Sequence, residues 1–226
     1  MKYENIIEGK FIKRPNRFIA HVEINGKEEI VHVKNTGRCK ELLTHNATVL
    51  CQYSDIPTRK TKYDLIAVYK GKKLINMDSQ APNKVFGEYL KEGRFTQGLT
   101  FIKSEYTYNS SRIDFYCEKG EEKYLIEVKG VTLEDNGVVL FPDAPTRRGV
   151  KHINELIEAQ NKGYHCTIAF VIQMDNVKYF TPNRKTHSEF ADALIKAEKA
   201  RVEILCLDCQ VTKDTLEIKN RVNYKL

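Results

Sequence analysis

The chain has 226 residues, 41% of them hydrophobic and 30% charged, a composition that is typical of globular proteins and excludes disordered and fibrous classes. No stretch approaches the ~18 apolar residues of a membrane span, and the first residues lack the apolar core of a signal peptide. We therefore expect a cytoplasmic protein with no membrane partner. Its six cysteines should stay reduced, and the single CxxC, Cys206 to Cys209, lacks the second cysteine pair that a structural zinc site needs.

The net charge of +7 is distributed unevenly along the chain. Residues 1–80 hold 15 Lys and Arg against 9 Asp and Glu, whereas residues 81–226 hold 22 against 21. A basic surface on the first third is typical of a protein that binds a polyanion such as nucleic acid. A solvated surface that only keeps the protein in solution is the alternative.

Residues 1–80 have the pattern of a domain built from short strands. Apolar and polar residues alternate over residues 17–24, Asn25-Gly26 has the sequence of a hairpin turn, and residues 29–33 follow as a second strand. Further strands are predicted over residues 47–53, 63–69 and 74–77. Five or six short strands in so few residues favour a small closed β-barrel, and the OB-fold is the common barrel of this kind that binds nucleic acid.

The pattern changes after Pro82, and residues 81–226 predict a second domain. A first helix over residues 84–90 should end at Gly93. The elements expected after it are three strands, a helix, a buried strand, a helix and a strand, over residues 99–108, 112–117, 124–131, 146–162, 167–174, 187–200 and 202–207. This order describes an α/β (α+β) fold, a mixed sheet with helices on its faces.

The longer helix, over residues 146–162, has one apolar face. Thr146 is its expected N-cap. Spacings of three and four predict that the buried side chains are Val150, Ile153, Leu156, Ile157 and Gln160. The same spacing predicts that three charged side chains face water, Lys151, Glu155 and Glu158.

A candidate catalytic site lies in the predicted hairpin around Gly120. Residues two apart on a strand point the same way, so Glu127 and Lys129 share a face, and Asp114 on the neighbouring strand can lie beside them. Two carboxylates on an apolar sheet are costly to bury unless they hold a cation, and oxygen ligands suit Mg²⁺ or Mn²⁺. The backbone carbonyl of Val128 is a candidate third ligand. These groups have the chemistry that phosphodiester hydrolysis needs, with Lys129 orienting water or stabilising the developing charge.

The alternative for these residues is a plain Glu-Lys ion pair on an exposed hairpin. The order of elements favours the metal site, because a helix, the strands that carry the carboxylates and a helix-strand unit occur in this order in the PD-(D/E)xK nuclease core. Ile113 stands where the proline of that motif would be. The predicted second domain is therefore PD-(D/E)xK nuclease-like.

Several further residues have two interpretations each. Glu88 is either a further metal ligand or a solvated glutamate, and Gln173 either contacts the metal's water shell or a phosphate, or simply ends a strand. His152 is either a packed or a catalytic histidine. Arg147 and Arg148, at a helix N-terminus, either bind phosphate or provide surface charge.

The candidate nucleic-acid contacts are basic residues, and they are Arg14, Arg17, Arg38, Lys40, Arg59, Lys60, Arg112, Arg147 and Arg148. Aromatic residues are interleaved among those of the first domain, as a stacking platform requires, and they are Phe11, Phe18, Tyr53 and Tyr63. Most of these aromatic side chains are expected in the barrel core, because alternation points only some of them outward.

Six segments carry a resemblance that covers nearly the whole chain: Asn35-Thr36-Gly37-Arg38, Tyr63-Asp64-Leu65, Pro82-Asn83, Ser111-Arg112-Ile113-Asp114-Phe115, Glu127-Val128-Lys129 and the sequence LFPDAPTRRGVKH of residues 140–152. Together they resemble the sugar fermentation stimulation protein A family, and the last segment is the most specific. The resemblance implies an OB-like N-terminal domain, a PD-(D/E)xK nuclease-like C-terminal domain, DNA binding with little sequence preference, and an association with sugar (maltose) utilisation. It leaves open which of Arg147 and Arg148 faces the site.

Three functions fit these observations. A Mg²⁺- or Mn²⁺-dependent nuclease is favoured by the intact Asp114, Glu127 and Lys129, because two carboxylates repel a phosphate backbone unless a cation lies between them. A non-catalytic, largely sequence-nonspecific DNA-binding regulator is the alternative, and no helix-turn-helix stands out to read bases. A metal-dependent phosphoesterase for a small molecule leaves the basic first domain unexplained. The sequence leaves open the strandedness of the DNA, endo or exo cleavage, and whether the chain forms a homodimer.

Overall fold

The first part of the chain is a closed β-barrel. The computed structural model describes residues 1–226. The barrel strands and the strand that extends them are β1 (Ile6–Lys13), β2 (Ile19–Ile24), β3 (Lys27–Val33), β4 (Thr48–Tyr53), β5 (Tyr63–Lys70) and β6 (Lys73–Asn76). They run in the order β3-β2-β1-β4-β5-β6, and a parallel pairing of β3 with β5 closes the barrel. The predicted barrel is confirmed.

The hairpin of β2 and β3 shows how the sequence forms this barrel. Alternate residues of β2, Ala20, Val22 and Ile24, are buried inside it. Asn25 and Gly26 both have positive φ, 51° and 76°, as the tight turn between twisted strands requires.

The second part is a six-stranded mixed sheet with three helices. Its elements in chain order are α1 (Ala81–Lys91), β7 (Phe101–Tyr108), β8 (Ser111–Lys119), β9 (Glu122–Val131), β10 (Leu133–Asp135), β11 (Val138–Phe141), α2 (Arg147–Asn161), β12 (His165–Ile172), β13 (Tyr179–Pro182), α3 (Ser188–Lys199), β14 (Glu203–Val211) and β15 (Leu216–Arg221). The main sheet has the order β15-β14-β12-β9-β8-β7. Strands β9, β12 and β14 are parallel and the others antiparallel, so the predicted mixed sheet is confirmed.

Four strands of this part were not predicted. Strands β10, β11 and β13 form a separate three-stranded sheet, and β15 pairs with the edge of the main sheet through β14. The strands of the small sheet have only three or four residues, which is too short for a two-residue period to stand out. In β15 only Leu216 and Ile218 are buried.

Helix α2 begins as expected and differs from the prediction on one face. The side-chain oxygen of Thr146 accepts a hydrogen bond from the Gly149 amide at 3.0 Å, so the N-cap is confirmed. Glu155 was expected to face water, and this was wrong, because only 8% of it is exposed. Ser110, in the turn between β7 and β8, lies over this carboxylate and donates to it at 3.2 Å. Three residues that were expected to be buried, Val150, Ile157 and Gln160, are only half-buried.

The barrel and the mixed sheet share one hydrophobic core. A single cluster contains barrel residues such as Val31 and Leu65 together with sheet residues such as Ile168 and Phe170. Hydrogen bonds also join the two parts, since Gln173 Nε2 donates to the side chain of Asn76 at 2.8 Å and to the Asp78 carbonyl at 3.0 Å. The junction therefore has a defined geometry, which positions α1 against β9.

No helix of the structure is long and apolar enough to cross a membrane.

Replacing Gly130 with alanine should destabilise this junction. A Cβ at Gly130 would lie 2.6 Å from Pro82 Cγ and 2.7 Å from Gln173 Oε1, and the proline ring cannot move aside cheaply. We expect Gly130→Ala to lower the free energy of unfolding by about 1–3 kcal/mol in urea titrations. The matched control is Gly87→Ala inside α1, where the nearest atom is 3.4 Å away and helix propensity favours alanine. Equal stability of the two variants would contradict the packing described for Gly130.

Candidate active site

A cleft of about 1090 Å³ opens between α1, β7 to β9 and the start of α2. The predicted residues Asp114, Glu127, Val128, Lys129 and Arg148 all line it. Three further lysines line the same cleft, Lys2, Lys84 and Lys91. The structure thus brings the carboxylates of the hairpin together with basic groups from other elements.

Strand pairing places the two carboxylates side by side. Strands β8 and β9 are antiparallel with Phe115 opposite Ile126, so Asp114 and Glu127 occupy facing positions one step along. Asp114 Oδ2 accepts a hydrogen bond from the Val128 amide at 2.7 Å, and its Oδ1 accepts one from Asn83 Nδ2 at 2.7 Å. Both oxygens of Asp114 are therefore held in place.

Asn83 was missed as a site residue by the sequence analysis. Its signal was its place in the first turn of α1, directly after Pro82.

Glu127 is buried, with 3% of its surface exposed. Its Oε1 accepts two hydrogen bonds at 2.5 Å, from Lys129 Nζ and from His152 Nδ1. Its Oε2 is buried and has no hydrogen-bond partner. A buried carboxylate oxygen without a partner is costly, so this atom is the candidate ligand for a cation.

The electrostatics of the two carboxylates differ. Burial and the neighbouring charge of Glu127 raise the pKa of Asp114 above its ordinary value. Burial also raises the pKa of Glu127, but hydrogen bonds from His152 and Lys129 outweigh it and hold that pKa below its ordinary value. A cation between them would relieve the repulsion that raises the pKa of Asp114.

The donor set fits a hard cation with few protein ligands. Asp114 and Glu127 supply carboxylate oxygens, which Mg²⁺ and Mn²⁺ prefer. No group of three or more His, Cys, Asp or Glu side chains is arranged to hold a metal ion. Backbone oxygens and water would complete the coordination, as is usual for Mg²⁺, and Val128 is among the residues that line the cleft.

The three auxiliary candidates have different positions. Glu88 lines the cleft, but its Oε2 accepts from the Met1 amine at 2.7 Å. Gln173 follows the last residue of β12, Ile172, and is not among the residues that line this cleft. Its side-chain amide is hydrogen-bonded at the junction with the barrel, so the structure does not support a role for it in the site. His152 is 3% exposed and contacts Glu127 directly.

The two arginines at the start of α2 point in different directions. Arg148 lines the cleft, and its Nε donates to His152 Nε2 at 3.3 Å. Arg147 lines a separate surface cavity together with Lys151. Consecutive residues of a helix are about 100° apart, so only one of the pair can face the cleft. The open question of which arginine faces the site is settled by this geometry in favour of Arg148.

Three of the predicted DNA contacts are engaged within the protein. Arg14 donates to four backbone carbonyls, those of Arg17, Asn35, Gly37 and Arg38. Arg59 is paired with the buried Asp64 at 2.6 Å, and Arg112 is paired with Glu105. Arg14 and Arg59 thus hold loops of the barrel in place, and their role as DNA contacts stays a prediction.

The remaining basic candidates of the barrel are exposed, and they are Arg17, Arg38, Lys40 and Lys60. Among the aromatic residues, Phe11 is in the core, and Tyr53 and Tyr63 pack on each other with ring centroids 5.5 Å apart. Phe18 is 52% exposed and lies under the guanidinium of Arg17. Phe18 is thus the one large, exposed aromatic ring among the four.

Comparisons with known proteins match both parts of the chain to one protein family. Residues 12–77 match the family model described as "SfsA N-terminal OB domain", and residues 80–215 match "Sugar fermentation stimulation protein RE domain". A sugar fermentation stimulation protein homolog of Desulfitobacterium hafniense (strain DSM 10664 / DCB-2) is 61% identical over 226 residues, which is 100% of this chain and 99% of the relative. The homolog of Ruminiclostridium cellulolyticum is 56% identical, with 100% of both chains covered.

A solved structure has the same fold. It is described as "The structure of Pyrococcus Furiosus SfsA in complex with Ca2+", and it matches with a TM-score of 0.90 and 26% sequence identity. The match covers 100% of this chain and 98% of that one. The OB assignment of the barrel is confirmed by the family model for residues 12–77 together with this match.

The buried Asp64 of the barrel is paired with His32, Lys34 and Arg59. These pairs should make the free energy of unfolding fall at acid pH. Burial raises the pKa of Asp64, but Arg59, His32 and Lys34 outweigh it and hold that pKa below its ordinary value. A carboxylate with a lowered pKa stabilises the fold above its unfolded pKa of about 3.9, and this stability is lost as the pH falls through the lower folded value. We expect Asp64→Asn to lose about 1–3 kcal/mol near pH 7 and to lose less on acidification than the native chain.

Urea unfolding at a series of pH values from neutral to acid measures this effect. The control is Asp55→Asn, which changes an exposed aspartate of the preceding loop. If Asp64→Asn and Asp55→Asn gave the same curve, Asp64 would not have the stabilising role described.

Proposed function

The chain belongs to the sugar fermentation stimulation protein family, and from this premise we propose that it is a Mg²⁺- or Mn²⁺-dependent nuclease that hydrolyses phosphodiester bonds in DNA. The observation that carries the proposal is the unpartnered Oε2 of Glu127 beside Asp114, at a cleft with basic walls. The relative from Pyrococcus furiosus is described in complex with Ca²⁺, a cation that also prefers carboxylate oxygens. This supports a cation as the missing partner of Glu127.

Each residue of the cleft has a role in this proposal. Asp114 and Glu127 hold the cation, with the Val128 carbonyl as a further ligand. When bound, Mg²⁺ or Mn²⁺ supplies charge that polarises a phosphate oxygen and lowers the pKa of water. Lys129 Nζ, held 2.5 Å from Glu127, is placed to orient the attacking water and to stabilise negative charge on the phosphate. Arg148, at the start of α2, donates to a phosphate oxygen.

The barrel supplies affinity for DNA in this proposal. Its exposed basic residues are Arg17, Arg38, Lys40 and Lys60, and no helix-turn-helix stands out in the sequence to read bases. Binding would then be mainly electrostatic and largely independent of sequence. We expect a cytoplasmic location, where the six free and buried cysteines stay reduced. A link to sugar utilisation rests on the family name alone.

A non-catalytic DNA-binding regulator is the second candidate. The observation in its favour is that the candidate metal ligands are two acidic side chains, Asp114 and Glu127, and that no group of three or more metal-binding side chains is present. Many metal-dependent sites have more acidic ligands than this. The two candidates differ in whether bound DNA is cut.

The decisive variant for the nuclease is Lys129→Ala. We expect purified protein to cut labelled DNA only with Mg²⁺ or Mn²⁺ and not with EDTA, and Lys129→Ala to cut at least ~100-fold more slowly while it still binds. The control is Lys123→Ala, an exposed lysine of the same strand outside the cleft. Single-turnover cleavage and DNA binding are measured on the same samples, with single- and double-stranded substrates.

Either of two results would reject the nuclease. Binding without cutting under every metal would leave the regulator as the function, and cutting by Lys129→Ala at the native rate would place the activity elsewhere.

The two arginines of α2 should contribute unequally to DNA binding. Because Arg148 lines the cleft and Arg147 does not, we expect Arg148→Ala to weaken binding about tenfold, the loss of a charged hydrogen bond. Its plot of log affinity against log salt should lose about 0.9 of slope for the one lost phosphate contact. Arg147→Ala should have a smaller effect. Fluorescence anisotropy without metal measures both, and equal losses would contradict the assignment of Arg148 to the site.

A further inference from the structure

His152 is a buried polar residue that the proposed reaction does not use. It lies in the second turn of α2, and 3% of its surface is exposed. Its Nδ1 is 2.5 Å from Glu127 Oε1, and its Nε2 is 3.3 Å from Arg148 Nε. Both ring nitrogens thus contact groups of the cleft, although the ring itself does not line it.

The contact with Glu127 has a geometric consequence. A carboxylate turns about its terminal bond unless its oxygens are held, and the flexible Lys129 alone holds it weakly. The buried imidazole provides a second, rigid donor to the same oxygen. With Oε1 held by two donors, Oε2 remains the only free oxygen of Glu127.

One tautomer of the His152 ring satisfies both hydrogen bonds. Arg148 Nε carries a hydrogen, so His152 Nε2 must accept and Nδ1 must carry the ring proton. That proton is then donated to Glu127 Oε1. Residues 148 and 152 are one helical turn apart, so the helix itself brings the side chains of Arg148 and His152 next to each other.

We propose that His152 is a positioning residue, which holds Glu127 so that Oε2 meets the cation and holds Arg148 towards the phosphate. The inference rests on the proposed function and adds to it a residue that couples the metal ligand to the phosphate-binding arginine. Partners that orient metal ligands typically contribute 10–100-fold to metal affinity. A histidine that only packs would contribute volume, which other side chains of similar size replace.

Substituting His152 by asparagine or by glutamine tests the two hydrogen bonds of the ring separately. The amide nitrogen of asparagine stands close to the position of Nδ1, and the amide of glutamine reaches the position of Nε2. We expect His152→Asn to keep metal affinity within about threefold while DNA affinity falls, because Arg148 loses its acceptor. We expect His152→Gln to lose metal affinity ~10–100-fold while it keeps DNA affinity. His152→Ala should lose both.

Calorimetric titration of the full chain with Ca²⁺ and Mn²⁺ measures the first quantity, and anisotropy with DNA in EDTA measures the second. His165→Asn, an exposed histidine on β12, is the control, and thermal unfolding of each variant confirms that it folds. No metal binding by the native chain would overturn the proposed function and this inference with it. Native metal binding with unchanged affinity in all three His152 variants, or with equal losses of both affinities in Asn and Gln, would overturn the inference alone.

Discussion

The closeness of two carboxylates, the half-buried Asp114 and the buried Glu127, is the constraint on which the arrangement of the cleft depends. Burying a charge is tolerated only when hydrogen bonds and counter-charges replace water. The donors come from three different elements: Asn83 from α1, the Val128 amide and Lys129 from β9, and His152 from α2. Two side chains, Asn83 and His152, therefore tie α1 and α2 to the central sheet, and Glu127 Oε2 is the one carboxylate oxygen of the pair without a hydrogen-bond partner.

The barrel is held in a fixed position relative to this cleft. Its core is continuous with that of the sheet, and the connecting segment lies between the two. Ser79 of that segment lines both the main cleft and a smaller cavity that reaches Asn35 and Gly37 of the barrel. The cleft and the barrel loop that contains Asn35 and Gly37 thus lie on either side of Ser79.

Charge counted along a sequence overstates the charge that is free to bind. Arg14 and Arg59 belong to the basic excess of the first domain, yet the structure uses both for loop contacts. An arginine has five donors and will satisfy buried carbonyls or a buried carboxylate when the fold brings them near. For Arg14 those carbonyls belong to residues as far along the chain as Arg38, so no local pattern reveals the contact.

The sequence by itself determined the barrel, the mixed sheet, and the order of the three helices and of five of the six strands of that sheet, because alternation, helical spacing and turn residues are local signals. It also placed Asp114, Glu127 and Lys129 on one face, since a hairpin and a two-residue period are enough for that. Only the tertiary structure decided that Arg148 and not Arg147 faces the cleft, that His152 touches Glu127, and that Gln173 belongs to the domain junction. The contacts of His152 with Glu127 and of Gln173 with Asn76 join residues that are far apart along the chain, and which arginine faces the cleft depends on how α2 packs against the sheet.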